Sequence, residues 1–343
     1  MEETTKMSSS STNKVTCIYI AGRGHSGSTL LTLLLGRHPE IAAVGELANL
    51  SLQCHRKEGL TKWAARCGCG ERPFNCSVWK DILNQVHEFS GIDMQKDPFA
   101  WHVSDVGLEE EYRSSAPRKT PLIWARNKFW RLWRYAQYSP SSVMRSFTQW
   151  YRPQISWARN RSFIIEKFAE KQKARAVVDA SKDALGMCDM YYYSPLPVKI
   201  LFITRDCRGS VWSMAKHAKS EQERVAKILE GTHEWMVVNR RIVDYLKLIP
   251  SSDWLHLKYE DLCHNPPQVM KNVFTFLGFK NPPDILATTD IQEHTIAGNK
   301  IRLSGNITHI REDTAWSENL TQDELQNITR LAGDFAATLG YQL

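Results

Sequence analysis

The segment "VTCIYIAGRGHSGSTLLTLLLG", residues 15–36, constrains the fold more than any other stretch of the chain. Residues 15–21 form a short apolar run that ends at glycine, the pattern of a strand buried on both faces of a parallel sheet. Leu30, Leu31, Leu33, Leu34 and Leu35 then supply the apolar side of a helix that packs back on that strand. Between the two lie Gly22, Gly24 and Gly27, with the hydroxyls of Ser26, Ser28 and Thr29. Such a loop aims several backbone N–H groups at one point, and the helix N-terminus adds partial positive charge. A nest of this kind suits a doubly charged anion, so a phosphate-like group is expected at residues 23–30.

Further apolar runs extend the pattern. "HPEIAAV" returns the chain through a second strand to Gly45 and Glu46. "ARAVVDAS" (174–181), "VKILFITRD" (198–206) and "DWLHLKYED" (253–261) read as three more buried strands, with helices over 208–219 and 221–248 between them. Strand and helix alternating in this way imply a three-layer α/β fold, a doubly wound parallel sheet with right-handed crossovers. "SENLTQDELQNITRLAGDFAATLGY" reads as one amphipathic C-terminal helix. Residues 1–14 are polar and read as a disordered leader, leaving a single domain over 15–343. The alternation breaks between about 50 and 170, which reads as a helical insertion above the carboxyl ends of the strands, where such folds bind ligands.

An apolar fraction of 42% and a charged fraction of 24% fit a soluble globular protein, and no run is long enough to span a membrane. The first residues hold no apolar signal core, so a cytoplasmic location is expected, and sequons at Asn75, Asn160, Asn306, Asn319 and Asn327 read as chance matches. A net charge of +7 favours an anionic partner without naming one.

The loop departs from the usual phosphate-binding pattern at Ser28, where a nucleoside-triphosphate enzyme carries lysine. A kinase also needs Mg²⁺ on a strand-end acid. The nearest such residue, Asp179 after "AVV", reads as structural. "GRGHSGSTLL" instead resembles the 5′-phosphosulfate loop of sulfotransferases that use 3′-phosphoadenosine 5′-phosphosulfate (PAPS). "KILFITRDCRGSVWSM" resembles the 3′-phosphate segment of that family, with Arg205 at a strand end and Ser213 eight residues on. Arginine there gives a bidentate grip on phosphate. "VVDASK" and "LHLKYEDL" are similar to two more family segments, and "HTIAGNKIR" resembles the C-terminal Gly-Asn-x-x-Arg loop of bacterial-type and carbohydrate-type members. These matches cover residues 15–50 and 174–343.

The resemblance implies a PAPS-dependent sulfotransferase that requires no metal and releases 3′,5′-ADP (PAP). The donor is expected on Arg23, Gly24, His25, Ser26, Gly27, Ser28, Thr29, Arg205, Ser213, Gly298, Asn299 and Arg302. Glu46 follows a strand returning beside the loop, and "AVGEL" matches the Gly-Glu of tyrosylprotein sulfotransferases, so Glu46 is the expected base. Relatives place Lys or Arg just before Ser-Gly, where this chain has His25. Either His25 is protonated beside bound PAPS or Arg23 carries the charge. Arg23 is favoured for charge and His25 for a hydrogen bond. Lys182 is expected to face the sulfonate or the acceptor.

The insertion holds two unusual segments. Cys54, Cys67, Cys69 and Cys76 form a cluster similar to Cys-x-Cys-Gly segments of bacterial-type sulfotransferases. It reads as free or loosely paired thiols or as a structural link, with a zinc site as the lesser alternative, and no metal-ligating residue is expected. Residues 113–161 hold nine Arg, two Lys and five Trp without Asp or Glu. They read as an acceptor lid, a surface for anionic membrane, or a helical subdomain with Trp in its core; nucleic acid is not expected, since no reader motif accompanies the charge. The acceptor is expected to be a small molecule or carbohydrate offering a hydroxyl or amine. The alternatives are a metal-dependent nucleotide kinase and a non-catalytic PAP-binding or membrane-surface module.

Overall fold

The computed structural model describes residues 14–55, 65–104, 121–139, 141–148, 151–280, 284, 293–303 and 310–343. The expected leader lies outside them except for Lys14.

The five apolar runs form five parallel strands: β1 (Thr16–Ala21), β2 (Ile41–Gly45), β3 (Ala176–Lys182), β4 (Val198–Thr204) and β5 (Trp254–Lys258). Their spatial order is β2-β3-β1-β4-β5, so β1 sits at the centre with β3 on one side and β4 on the other. Alternation along β1 sends Cys17, Tyr19 and Ala21 into one layer and Ile18 and Ile20 into the other. All five are fully buried, as a continuous apolar run requires. The Ile18 layer is closed by α1 (Ser28–Leu35) through Leu31, Leu34 and Leu35.

The Tyr19 layer draws on more of the chain. After α2 (Leu50–His55) and α3 (Ser77–Ser90), the Trp/Arg-rich stretch forms α4 (Pro121–Gln137), α5 (Ser142–Phe147) and α6 (Gln154–Gln172). Helices α7 (Ala184–Tyr193), α8 (Cys207–Ala215) and α9 (Glu221–Leu246) follow. Trp79 of α3, Ile164 and Phe168 of α6, Met187 of α7, Val211 of α8 and Trp235 of α9 share this layer's core. The end of the expected insertion, α6, is therefore part of the sheet's own covering layer. Trp157, Arg134 and Arg161 are buried, whereas Phe129, Leu132 and Phe147 are exposed, so the stretch divides between core and surface. Among the described residues no helix is long and apolar enough to cross a membrane.

Two boundaries differ from expectation. The last strand stops at Lys258, and Tyr259 opens the short helix α10 (Tyr259–His264), followed by α11 (Pro266–Phe276) on the Ile18 face. The Glu260 carboxylate accepts the Asp206 N–H (2.9 Å) and the Tyr341 hydroxyl (3.0 Å), which favours the turn. The C-terminal helix is two: α12 (Trp316–Asn319) and α13 (Gln322–Thr338). Thr321 separates them because its side chain accepts from the Glu324 N–H while the Glu324 carboxylate accepts the Thr321 N–H, a reciprocal cap.

Candidate functional site

The strand order reverses at β1, and each of the five strands delivers part of the site from its carboxyl end. The loop at 22–27 follows β1, Glu46 follows β2, Lys182 ends β3, Arg205 follows β4 and Tyr259 follows β5. Ligands of open α/β sheets bind at such a reversal. A cleft of about 550 Å³ opens there.

Its floor is the glycine loop and the start of α1. Gly27 takes a left-handed conformation (φ 86°) against the Tyr259 ring, where an added Cβ would lie 2.4 Å from a ring carbon. The first bond of α1 runs from Leu31 N to the Gly27 carbonyl at 3.0 Å, so the preceding N–H groups of Ser28, Thr29 and Leu30 lack helical acceptors. Gly24, His25, Gly27, Ser28 and Thr29 line the cleft, as does Leu30. Ser26 is turned inward, and its buried hydroxyl has no hydrogen-bond partner among the described residues.

Arg23 does not face the cleft. Its guanidinium is buried against α8 and α9, donating to Ser210 Oγ (2.7 Å) and pairing with Glu234 (2.9 Å). The charge expected of it at the ligand lies elsewhere: Lys182, Arg205 and Lys216 line the cleft. His25 has a left-handed backbone (φ 66°). Burial first, then the charges of Arg23, Lys182, Arg205 and Lys216, push its imidazole pKa below the ordinary 6.5. At neutral pH His25 is an uncharged hydrogen-bonding group.

One wall carries a carboxylate and an ammonium in contact. Lys182 Nζ meets Glu46 Oε1, and Asn49 Nδ2 donates to Glu46 Oε2 at 2.9 Å. The Glu46 N–H donates to the Ile296 carbonyl at 2.9 Å, and Ile296 N–H returns to Val44 at 2.8 Å, so residues 295–298 dock alongside β2. That segment ends at Gly298 (φ 88°), where an added Cβ would sit 3.5 Å from both Glu46 Oε1 and Thr29 Oγ1. The Asn299 N–H donates to Thr29 Oγ1 at 3.3 Å, and Gly298 and Asn299 both line the cleft. Arg302 lies behind this wall, donating to the carbonyls of Thr295 (3.1 Å) and Arg66 (2.6 Å). It supports the turn instead of lining the cleft.

The opposite wall is Arg205. Its guanidinium donates to the His25 carbonyl (3.4 Å), Ser213 Oγ (3.4 Å) and the Asp313 carbonyl (2.8 Å), and stacks 4.6 Å from the Tyr259 ring centre. The Asp313 carboxylate is 3.4 Å away. Sequence reasoning missed Lys216, His217, Tyr259, Ile301 and Asp313, all of which line the cleft. Lys216 was within reach, being three residues past Ser213 and thus on the same helix face. Asp179 is fully buried, bonded to Arg161 (2.5 Å) and to the Leu47 N–H (3.3 Å), as a structural residue would be.

A parallel sheet with a glycine-loop helix N-terminus and three cations around one cleft defines an α/β protein of the P-loop-like kind. The chain belongs to the sulfotransferase family, whose family model matches residues 17–283. Among solved structures it is similar to the sulfotransferase domain of the Synechococcus PCC 7002 olefin synthase, at 18% identity over 96% of each chain with a TM-score of 0.48. It is also similar to a sulfotransferase domain from the curacin biosynthetic pathway (16% identity, 94% of this chain and 98% of that one, TM-score 0.49). A third likeness is sulfotransferase STF9 from Mycobacterium avium (9%, 94% and 76%, TM-score 0.43). No curated protein matches the chain.

Proposed function

We propose that the chain transfers the sulfuryl group of PAPS to a hydroxyl or amine of a small-molecule or carbohydrate acceptor, with Glu46 as base. The observation that carries this reading is the meeting of Glu46 and Lys182 in the same cleft as the glycine loop and Arg205. The 5′-phosphosulfate would rest on the N–H groups of residues 24–30, and the 3′-phosphate would be held by Arg205 and Ser213. Displacement of the Asp313 contacts by phosphate oxygens would leave the Arg205 fork bidentate. The acceptor oxygen or nitrogen attacks sulfur while the bond from sulfur to the 5′-phosphate oxygen breaks. The acceptor proton passes to Glu46, and the electron pair leaves with PAP. Lys182, touching Glu46 beforehand, is free to turn its charge to the sulfonate as the proton arrives. Sulfuryl transfer of this kind depends on position and charge stabilisation, for which no metal is required.

The test joins binding to turnover. Calorimetry should show PAP binding without metal and no comparable binding of ATP·Mg²⁺; the reverse order would support a nucleotide kinase. Glu46→Gln should keep PAP affinity within a few-fold and lower turnover by about 10²–10⁴, the usual contribution of a general base. Arg205→Ala should weaken PAP by about 10–100-fold, the loss of one or two charge-assisted hydrogen bonds. A Glu46→Gln protein with wild-type turnover would sink the base assignment. PAP binding without sulfation of any acceptor would favour the non-catalytic module.

A further inference from the structure

Away from the cleft, Cys67, Cys69, Cys76 and His294 bring three sulfurs and a ring nitrogen within 4.8 Å of one another. We propose that these four residues bind one structural zinc ion that fastens the cysteine segment to the strip carrying Gly298 and Asn299.

Cys54, the fourth cysteine of the sequence cluster, is outside the group, and His294 takes its place. Cys76 Sγ lies 3.2 Å and Cys67 Sγ 3.8 Å from His294 Nδ1. A tetrahedral zinc site, with sulfur at about 2.3 Å and nitrogen at about 2.0–2.1 Å, sets its donors roughly 3.5–3.8 Å apart, so the ligand cage needs only small adjustments. Three thiols and an imidazole are one of the usual closed structural zinc sets, and soft thiolates disfavour calcium and magnesium.

The backbone is arranged for the same purpose. Cys67 N–H donates to the Glu71 carbonyl (2.7 Å) and Gly70 N–H to the Cys67 carbonyl (2.9 Å), folding the Cys67–Cys69 pair into a tight turn. Gly68 N–H donates to the Thr295 carbonyl at 2.8 Å, and a Cβ on Gly68 would lie 2.6 Å from the Glu293 carbonyl oxygen. No side chain fits between the two segments, so they meet at backbone distance. Trp79 Nε1 fixes the far side by donating to the His294 carbonyl at 2.6 Å. Three thiolates, a neutral imidazole and Zn²⁺ leave one net negative charge. The buried Arg302 guanidinium, bonded to the Arg66 and Thr295 carbonyls beside Cys67 and His294, is placed to offset it. The ion would clamp residues more than 200 positions apart, and four residues beyond His294 the strip reaches Gly298 at the cleft.

Binding deprotonates the three thiols and releases their protons to solvent, with no change of oxidation state. Elemental analysis of the full-length purified protein should therefore find about one zinc per chain. After chelation, Co²⁺ titration should restore about one equivalent, with the thiolate charge-transfer and tetrahedral ligand-field bands that such a site gives. Cys69→Ser and His294→Ala should lose these signals, while Cys54→Ser should retain them. Folded wild-type protein that holds no metal and yields no cobalt bands would overturn the proposal, whatever the variants do. So would a disulfide among these cysteines in non-reduced peptide maps of freshly isolated protein. None of these readouts involves sulfation, so failure here leaves the proposed activity untouched.

Discussion

At the scale of the residue, His25 sets a condition on when the cleft is fully charged. Burial and four neighbouring cations hold its pKa below 6.5. The folded protein therefore binds fewer protons at this position than the unfolded chain between that lowered midpoint and 6.5. Stability contributed by His25 is present above pH 6.5 and lost as pH falls through the lowered midpoint. A bound dianion reverses the balance by favouring the imidazolium. At about pH 6, PAP binding by the wild type should take up more protons than binding by His25→Asn. Calorimetry in two buffers of different ionisation enthalpy measures the difference, which also removes the phosphate's own titration. Equal proton uptake by the two proteins would exclude His25 as the linked group. The neighbouring residue carries a separate lesson. Arg23 is as close in sequence to the loop as His25, yet its side chain runs to Glu234 on α9. A glycine loop has no periodicity from which side-chain direction can be read, so only the fold could separate these two.

At the scale of the element, the site depends on how β2 meets the strip at 293–303. Gly45 has φ 82°, and a Cβ there would fall 2.2 Å from the Ile296 carbonyl oxygen. Glu46 is thus aimed by a position that only glycine fills without moving the strip. Gly45→Ala should destabilise the protein by about 1–3 kcal/mol through backbone strain. It should lower turnover more than it weakens PAP, because it displaces Glu46 and Gly298 together while the loop and Arg205 stay in place. Denaturant titration and steady-state kinetics give the two numbers; an alanine variant with unchanged turnover would show that the strip's position does not matter. The strands themselves were legible, because a parallel strand covered on both faces must be an apolar run. Their ends were less so. The halt of β5 at Lys258 depends on Glu260 reaching Asp206 and Tyr341, and His294 meets Cys76 across 218 residues. Contacts at such separations leave no mark in a local pattern. Thr321 was the opposite case, since Thr-x-x-Glu is a local signal for a helix start that the reading of one amphipathic helix passed over.

At the scale of the molecule, part of the positive charge is inside the protein. Arg134 pairs with Asp189 and Arg161 with Asp179, both at 2.5 Å and both nearly inaccessible to solvent. Each joins the Trp/Arg-rich stretch to a different part of the sheet layer: α4 to α7, and α6 to β3. The second pair has the wider reach. Asp179 also accepts the N–H groups of Leu47 (3.3 Å) and Ser181 (3.1 Å), and Arg161 also donates to Ser181 Oγ (2.8 Å). Leu47 follows Glu46, and Lys182 follows Ser181. One buried carboxylate therefore holds both strand ends whose side chains meet in the cleft. Removing only the arginine leaves that carboxylate buried and without its charge partner, which typically costs about 3–5 kcal/mol, whereas replacing both members by neutral groups costs far less. Arg161→Met should accordingly lower stability by about that amount, and Arg161→Met with Asp179→Asn should recover most of it, in chemical denaturation at neutral pH. The Leu47 and Ser181 N–H groups both donate to Oδ1, an acceptor that asparagine keeps, so turnover should return along with stability. If the single variant loses less than about 1 kcal/mol, the range for an exposed pair, the Arg161–Asp179 contact is not the clamp described here.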